Sequence, residues 1–291
     1  MERNFKMPDS VKTGTLYLCA TPIGNLEDIT YRVLRILKEA DLIAAEDTRN
    51  SIKLLNHFDI KTPMTSYHEF NKYDKARVLV EKMLGGANIA VITDAGTPGI
   101  SDPGEELVRQ CHEAGIKVIS VPGAAACITA LTMSGLSTRR FCFEAFLPAD
   151  KQDRKYILDE LKNETRTIIV YEAPHRLKKT LAELAEKLGK DRQISICKEL
   201  TKKHENTFLT TFEDALVYYE DNEPRGEYVL VIEGKSRDEL LKEKIAEWEK
   251  MSIEEHVDMY IARGIDKKEA MKMAAKDRGV SKRDIYNEYN I

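Results

Sequence analysis

Four short stretches of the chain combine residue types that do chemistry with spacings that expose them. The first is Asp94-Ala-Gly-Thr-Pro-Gly-Ile-Ser-Asp-Pro-Gly104, directly after the apolar run Asn88-Ile-Ala-Val-Ile-Thr93. Gly permits positive φ and close backbone approach, and Pro stiffens the turn. A buried strand that empties into such a loop presents main-chain N–H and C=O groups to a ligand at its carboxyl end. The second stretch is Ala45-Glu-Asp-Thr-Arg49. Its carboxylates, hydroxyl and guanidinium suit substrate orientation or phosphate binding, or a solvated helix start capped by Asp47 or Thr48. The third, Tyr171-Glu-Ala-Pro-His-Arg176, offers a general base and a phosphate contact, or simply a Pro-initiated helix. The fourth, Lys198-Glu-Leu-Thr-Lys-Lys-His-Glu205, reads as a binding loop or an exposed charged one.

The elements that must position these residues alternate in type. Strands are expected at 15–20, 42–45, 64–67, 88–93 and 117–121, with helices between them. Ile29, Val33, Leu34, Ile36 and Leu37 mark one apolar helical face. Interleaved strands and helices imply a mostly parallel sheet covered on both faces. Two more loops, Ala20-Thr-Pro-Ile-Gly-Asn25 and Val121-Pro-Gly-Ala124, then share one sheet edge with the loop at 94–104. The small, apolar segment 124–134 reads as a closely packed helix. Past a crossing near 135–138, strands at 141–146, 167–171, 194–197, 207–211 and 227–232 make a second, partly antiparallel sheet. Its helices are expected at 151–163 and from Pro174 to about Leu188.

The expected organisation is a flexible tail (1–14), two α/β domains (15–136 and 137–235) and a helical module (240–291). Ser252-Ile-Glu-Glu255 fits a capping box. Asp266 and Ser281 start two further helices, separated by turns at Gly264 and Gly279, in a helix-turn-helix-like array. From Arg263 to Arg283, eight basic residues face three acids, a local charge of +5 within a chain of net charge −4.

With 291 residues, 42% hydrophobic and 32% charged, the chain reads as globular. No signal-peptide pattern or membrane-length apolar run is present, so a cytoplasmic location is expected. The five dispersed Cys lack zinc spacing and read as buried thiols. No H-x-x-x-H pairing occurs, so no metal is expected. Neither G-x-G-x-x-G nor G-x-S-x-G occurs. Gly99 to Gly104 has P-loop spacing, but Glu105 stands where Lys is required. These absences steer the loops away from nucleoside triphosphates and ordinary dinucleotides.

Together with Thr21–Thr30, Glu46–Arg49, Phe146-Leu-Pro148 and Gly226-Glu-Tyr-Val-Leu-Val231, these motifs resemble the ribosomal RNA small subunit methyltransferase I family. That family lies in the tetrapyrrole-methylase-like class of S-adenosylmethionine-dependent methyltransferases. The resemblance covers residues 15–235, and more weakly the helical tail. It implies two α/β domains with the cofactor between them, a homodimer, and 2′-O-methylation of a cytidine in 16S rRNA of the small subunit. Carried over residue by residue, it assigns cofactor contacts to Pro22, Gly24, Asn25, Asp94, Ala95, Gly96, Thr97, Ile100 and Ser101. Val121, Gly123, Ala125, Ala126, Tyr171 and Gly226 join them. Asp94 and Asp102 are as suited to bracing their loop as to touching the cofactor. Arg49, His175, Arg176 and Lys202 become candidates for holding RNA. Glu172, Glu46 and Asp47 are candidates for the general base, among which the sequence does not choose. Tetrapyrrole or protein methylation, and RNA binding without catalysis, are the competing readings.

Overall fold

A computed structural model describes residues 13–289, leaving aside the side chains of residues 244, 247 and 249. The expected tail falls outside the described residues except for its last two positions. One of these, Gly14, is held: its N–H donates to the Met83 carbonyl at 2.7 Å.

The first sheet comprises β1 (Thr15–Cys19), β2 (Leu42–Ala45), β3 (Met64–Ser66), β4 (Ile89–Ile92) and β5 (Lys117–Val121). All pairings are parallel, in the order β3-β2-β4-β1-β5. Side chains alternate between two faces. Leu16, Leu18, Ala44, Ile89 and Val91 pack under α3 (Lys72–Leu84) and α4 (Gly104–Glu113). Cys19, Ile43, Ala45, Ala90 and Ile92 pack under α1 (Tyr31–Glu39) and α2 (Thr48–His57). Full burial of each large aliphatic side chain contributes about 1.5–3 kcal/mol. Because the strands are parallel, the loops after β1, β2, β4 and β5 all leave at one edge.

The second sheet has β6 (Phe141–Phe146), β7 (Thr167–Glu172), β8 (Gln193–Lys198), β9 (Asn206–Thr211) and β10 (Tyr228–Ile232). Its order is β6-β7-β10-β8-β9, with only β6 and β7 parallel. One face carries α6 (Lys151–Leu161), α7 (Pro174–Leu188) and α8 (Phe212–Asp221). Helix α8 is not among the helices expected from the sequence; Thr211 caps it, and Phe212, Ala215 and Tyr219 are its buried stripe. The other face carries α5 (Ala126–Met133). Cys127, Ala130 and Leu131 pack there on Ile169, Cys197, Val229 and Val231. The helix expected to close the first domain therefore packs on the second sheet, and β5 leads straight across.

The C-terminal helices are α9 (Arg237–Lys250), α10 (Ile253–Ala262), α11 (Lys267–Arg278) and α12 (Lys282–Tyr289). Ser252 and Glu255 form the expected capping box, and Ser236 with Glu239 forms a second, so α9 starts ahead of the expected Leu240. Val257, Tyr260, Met271, Ala274 and Ile285 form a separate core. No described helix is long and apolar enough to cross a membrane. All five cysteines are buried free thiols, and burial pushes those of Cys19 and Cys111 up to about 12.

Candidate functional site

A cavity of about 390 Å³ lies where the edges of the two sheets meet. Ile23, Ala95, Gly96, Thr97, Ile100, Ala125 and Ala126 line it from the first half, and Phe146, Tyr171, Leu200, Glu227, Tyr228 and Val229 from the second. The loop after β4 is rigidly braced. The Asp102 carboxylate accepts from Gly99 N at 2.8 Å, Gly104 N at 2.8 Å and Ile100 N at 3.2 Å. Thr97 Oγ1 donates to Ala124 O at 2.9 Å. Gly96, at φ +86°, exchanges two main-chain hydrogen bonds with Thr21, at 2.9 and 3.1 Å. Of the two readings of Asp102, the structure takes the brace.

Backbone strain concentrates at this cavity. Ser101, Ala145, Glu199 and Thr201 all have φ between +50° and +65°. Each adjoins a lining residue: Ile100, Phe146 or Leu200. Ala145 lies where the β6–β7 register shifts, between Phe143 and Phe146. Strain of this kind persists where the surroundings over-determine the geometry, as around binding sites. The Tyr171 hydroxyl accepts from Cys127 N at 3.0 Å, and its ring meets Phe143 and Phe146 edge-on.

A second cavity, of about 350 Å³, is lined by Thr21, Pro22, Gly24, Leu26, Asn50, Ser51, Lys53, Leu54, His57, Thr93 and Asp94. The loops at 21–24 and 93–97 contribute to both cavities. Ile23, Ala95 and Gly96 line the first, while Pro22, Gly24, Thr93 and Asp94 line the second.

The other residues expected at the site are placed as follows. Pro22, Gly24 and Asp94 line the second cavity rather than the first. Asn25 caps the short helix Leu26–Asp28. Val121 is fully buried in the core of the first sheet, and Gly123 packs against Ala20. Gly226 turns against Glu199, one residue before the lining residue Glu227. The Glu172 side chain is fully buried. It accepts from the Thr180 hydroxyl and from Ala173 N at 2.8 Å, with Arg176 Nε at 3.4 Å. It ties β7 to α7, and the residue is also part of the lining of the first cavity. Asp47 caps α2 and pairs with Arg49 at 2.9 Å, which holds its carboxyl down at about 2. Arg49 is correspondingly engaged. Arg176 donates to Leu147 O at 2.6 Å. Lys202 bridges Glu199 and Glu227 at 2.9 and 2.8 Å. His175 is exposed in the first turn of α7. Glu46 accepts from Thr93 Oγ1 at 2.6 Å. Ala95, Gly96, Thr97, Ile100, Ala125, Ala126 and Tyr171 do line the first cavity, with Ser101 just beside it.

Ile23 belongs to the loop 22–25 expected at the cofactor, whereas Phe146, Leu200 and Val229 are lining residues that the sequence does not single out. Ile23 and Phe146 stand inside quoted motifs, and their apolar type was the available signal. Leu200 and Val229 come from the second half, where no Gly/Pro loop marks them. Among the described residues, no group of three or more His, Cys, Asp or Glu is placed to hold a metal ion.

The family model of tetrapyrrole (corrin/porphyrin) methylases matches residues 15–216. The chain is 51% identical over 277 residues to ribosomal RNA small subunit methyltransferase I of Halalkalibacterium halodurans, covering 95% of each chain. It is 46% identical to the Bacillus subtilis protein of the same name, covering 96% of this chain and 94% of that one. In fold it resembles uroporphyrin-III C-methyl transferase from Thermus thermophilus complexed with S-adenyl homocysteine. There the TM-score is 0.53 and the identity 20%, over 76% of this chain and 97% of that one. The chain belongs to the ribosomal RNA small subunit methyltransferase I family of the tetrapyrrole methylases, and its cofactor is S-adenosylmethionine.

Proposed function

We propose that the chain transfers the methyl group of S-adenosylmethionine to the ribose 2′-oxygen of a cytidine in 16S rRNA. The observation that carries this reading is the cavity between the sheet edges, set beside relatives named for small-subunit rRNA methylation. Its aliphatic walls (Ile23, Ile100, Leu200 and Val229) suit the faces of an adenine ring. Small residues at Ala95, Gly96, Ala125 and Ala126 let main-chain groups approach an elongated ligand. When bound, the cofactor supplies an activated sulfonium methyl. The protein's task is then mostly orientation, which by itself supplies a large share of the rate. The braced loop at 94–104 and the Thr21–Gly96 bridge hold the walls for that task.

The domains of this reading are 15–136 and 137–235 around the cofactor, with 240–291 docking on RNA. In that module Arg278 serves the fold, donating to Met251 O at 2.6 Å and Ser252 O at 3.0 Å. Lys268, Lys276, Lys282 and Arg283 remain exposed and suited to phosphate contacts, which position without specifying sequence. A small tetrapyrrole substrate would need no such module. The site of action is the small ribosomal subunit in the cytoplasm. The homodimer is taken from the family resemblance.

Ribose-methylation mapping of 16S rRNA from a deletion strain tests the reading. One cytidine should lose its 2′-O-methyl group and regain it on complementation. An unchanged map removes the rRNA assignment.

A further inference from the structure

We propose that the second cavity holds the target nucleotide and that Asp94 takes the proton from its 2′-hydroxyl. This rests on the function proposed above and names the residues that would act on the substrate. Three observations carry it.

The first is adjacency. The two cavities share a wall, the paired loops at 21–24 and 93–97, pinned by the reciprocal Thr21–Gly96 hydrogen bonds. Asp94 lines the second cavity, and the next residue, Ala95, lines the first. A substrate in one cavity and a methyl donor in the other would meet across this wall, where an in-line transfer needs them.

The second is chemistry. One face of α2, from Asn50 through Lys53 and Leu54 to His57, borders the second cavity at helical spacing. Ser51 also lines it and is only 5% exposed. Its hydroxyl can donate to or accept from the polar edge of a ligand in the cavity. The amide and hydroxyl suit a pyrimidine edge, and the exposed Lys53 and His57 suit a phosphate. A carboxylate at the shared wall with the Lys53 ammonium on α2 complements a nucleotide entering hydroxyl first.

The third is the environment of Asp94. Partial burial and the neighbouring Glu46 push its carboxyl above the usual range, and Asp47 adds to this. A hydrogen bond from the Asn50 side chain opposes the shift, as does a main-chain bond from Asp47. The charged groups around it are therefore Glu46, Asp47 and Arg49, with Lys53 and His57 across the cavity. Arg49 hydrogen-bonds Asp47 but acts on Asp94 only through space, as the weaker of its two acidic partners. A raised carboxyl is a better proton acceptor.

In the step, the 2′-oxygen bonds to the methyl carbon as the carbon–sulfur bond breaks, and its proton passes to the Asp94 carboxylate. The products are the methyl ether, neutral S-adenosylhomocysteine and a protonated Asp94, which returns its proton to water.

The test uses full-length protein, tritiated S-adenosylmethionine and small ribosomal subunits from cells lacking this chain. Asp94→Asn should lower kcat by about 10²–10⁴-fold. Its affinity for S-adenosylhomocysteine, measured by calorimetry, should stay unchanged. Wild-type kcat should rise with pH through the Asp94 titration, and that limb should vanish in Asp94→Asn. Ser51→Val should raise KM for subunits without altering S-adenosylhomocysteine affinity. Near-wild-type kcat in Asp94→Asn, or an unchanged KM in Ser51→Val, overturns the inference while leaving the proposed function intact. If the wild type puts no label into RNA, both fall.

Discussion

At the residue scale, the charged groups around the cavities mostly neutralise one another. Glu172 is enclosed by Thr180 and Arg176, Asp47 is paired with Arg49, and Lys202 sits between Glu199 and Glu227. A charged residue at a strand end announces reactivity in the sequence, but its partner is chosen by the tertiary fold. Gly226 shows how local geometry sustains such a network. It turns at φ +84°, and a Cβ there would lie 2.5 Å from the Glu199 carboxyl carbon. Glu199 accepts from Lys202 Nζ and from Glu227 N at 3.0 Å. We predict that Gly226→Ala destabilises the protein by about 1–2 kcal/mol through the left-handed backbone alone, with more from displacing Glu199. Because Glu227 lines the first cavity, affinity for S-adenosylhomocysteine should fall as well. A thermal melt at or above the wild-type midpoint would show that the turn relaxes freely. The Gly/Pro loops were legible because Gly and Pro act on their own backbone. The ion pairs were not, because they join residues such as Lys202 and Glu227 that are distant in the chain.

At the element scale, the strands after residue 14 and the Pro174 helix follow from apolar periodicity and turn residues. The helix α8 escaped because β9 runs into it at Thr211 with no Gly or Pro between. The sequence marks α5 as a helix of small residues, but small residues pack closely on any sheet, so its partner was open. The helical module has a further property that its sequence hid. His256 is fully buried, stacked between Trp248 and Tyr260. Its Nδ1 accepts from Arg278 Nε at 3.0 Å, and Asp277 lies 3.5 Å from Nε2. Burial lowers its pKa, Arg278 lowers it further, and Asp277 opposes both. The unfolded chain therefore binds a proton before the folded one does. Stability from a neutral His256 is complete above the unfolded value of about 6.5 and is lost as pH falls toward the lower folded value. Trp248 is the only tryptophan in the chain, so its fluorescence reports this module. Its urea midpoint should drop between pH 7.5 and pH 5.5, and His256→Gln should remove that drop. A midpoint independent of pH in the wild type would refute the assignment.

At the scale of the whole molecule, the first cavity exists only because two sheets and one crossing helix meet. Ile23, Gly96 and Ile100 come from the first half, Phe146, Leu200 and Val229 from the second, and Ala126 and Cys127 from α5. A ligand filling it touches both halves and binds only the folded assembly. At one hundred times its Kd, S-adenosylhomocysteine should therefore add about 2.7 kcal/mol to stability. For a chain of this size that raises the melting temperature by about 4–5 °C. Ile100 offers a clean control, because the residue is 42% exposed, on a loop that Asp102 already braces. Replacing it by Glu should change the stability of the unliganded protein by no more than about 0.5 kcal/mol. The same change puts a carboxylate where the cavity presents aliphatic surface, and an unpaired charge is costly to bury beneath a ligand. The thermal shift should then collapse in Ile100→Glu while the unliganded melt stays in place. A shift of wild-type size in that variant would move the cofactor out of this cavity. It would also separate the cofactor from the wall where Asp94 stands.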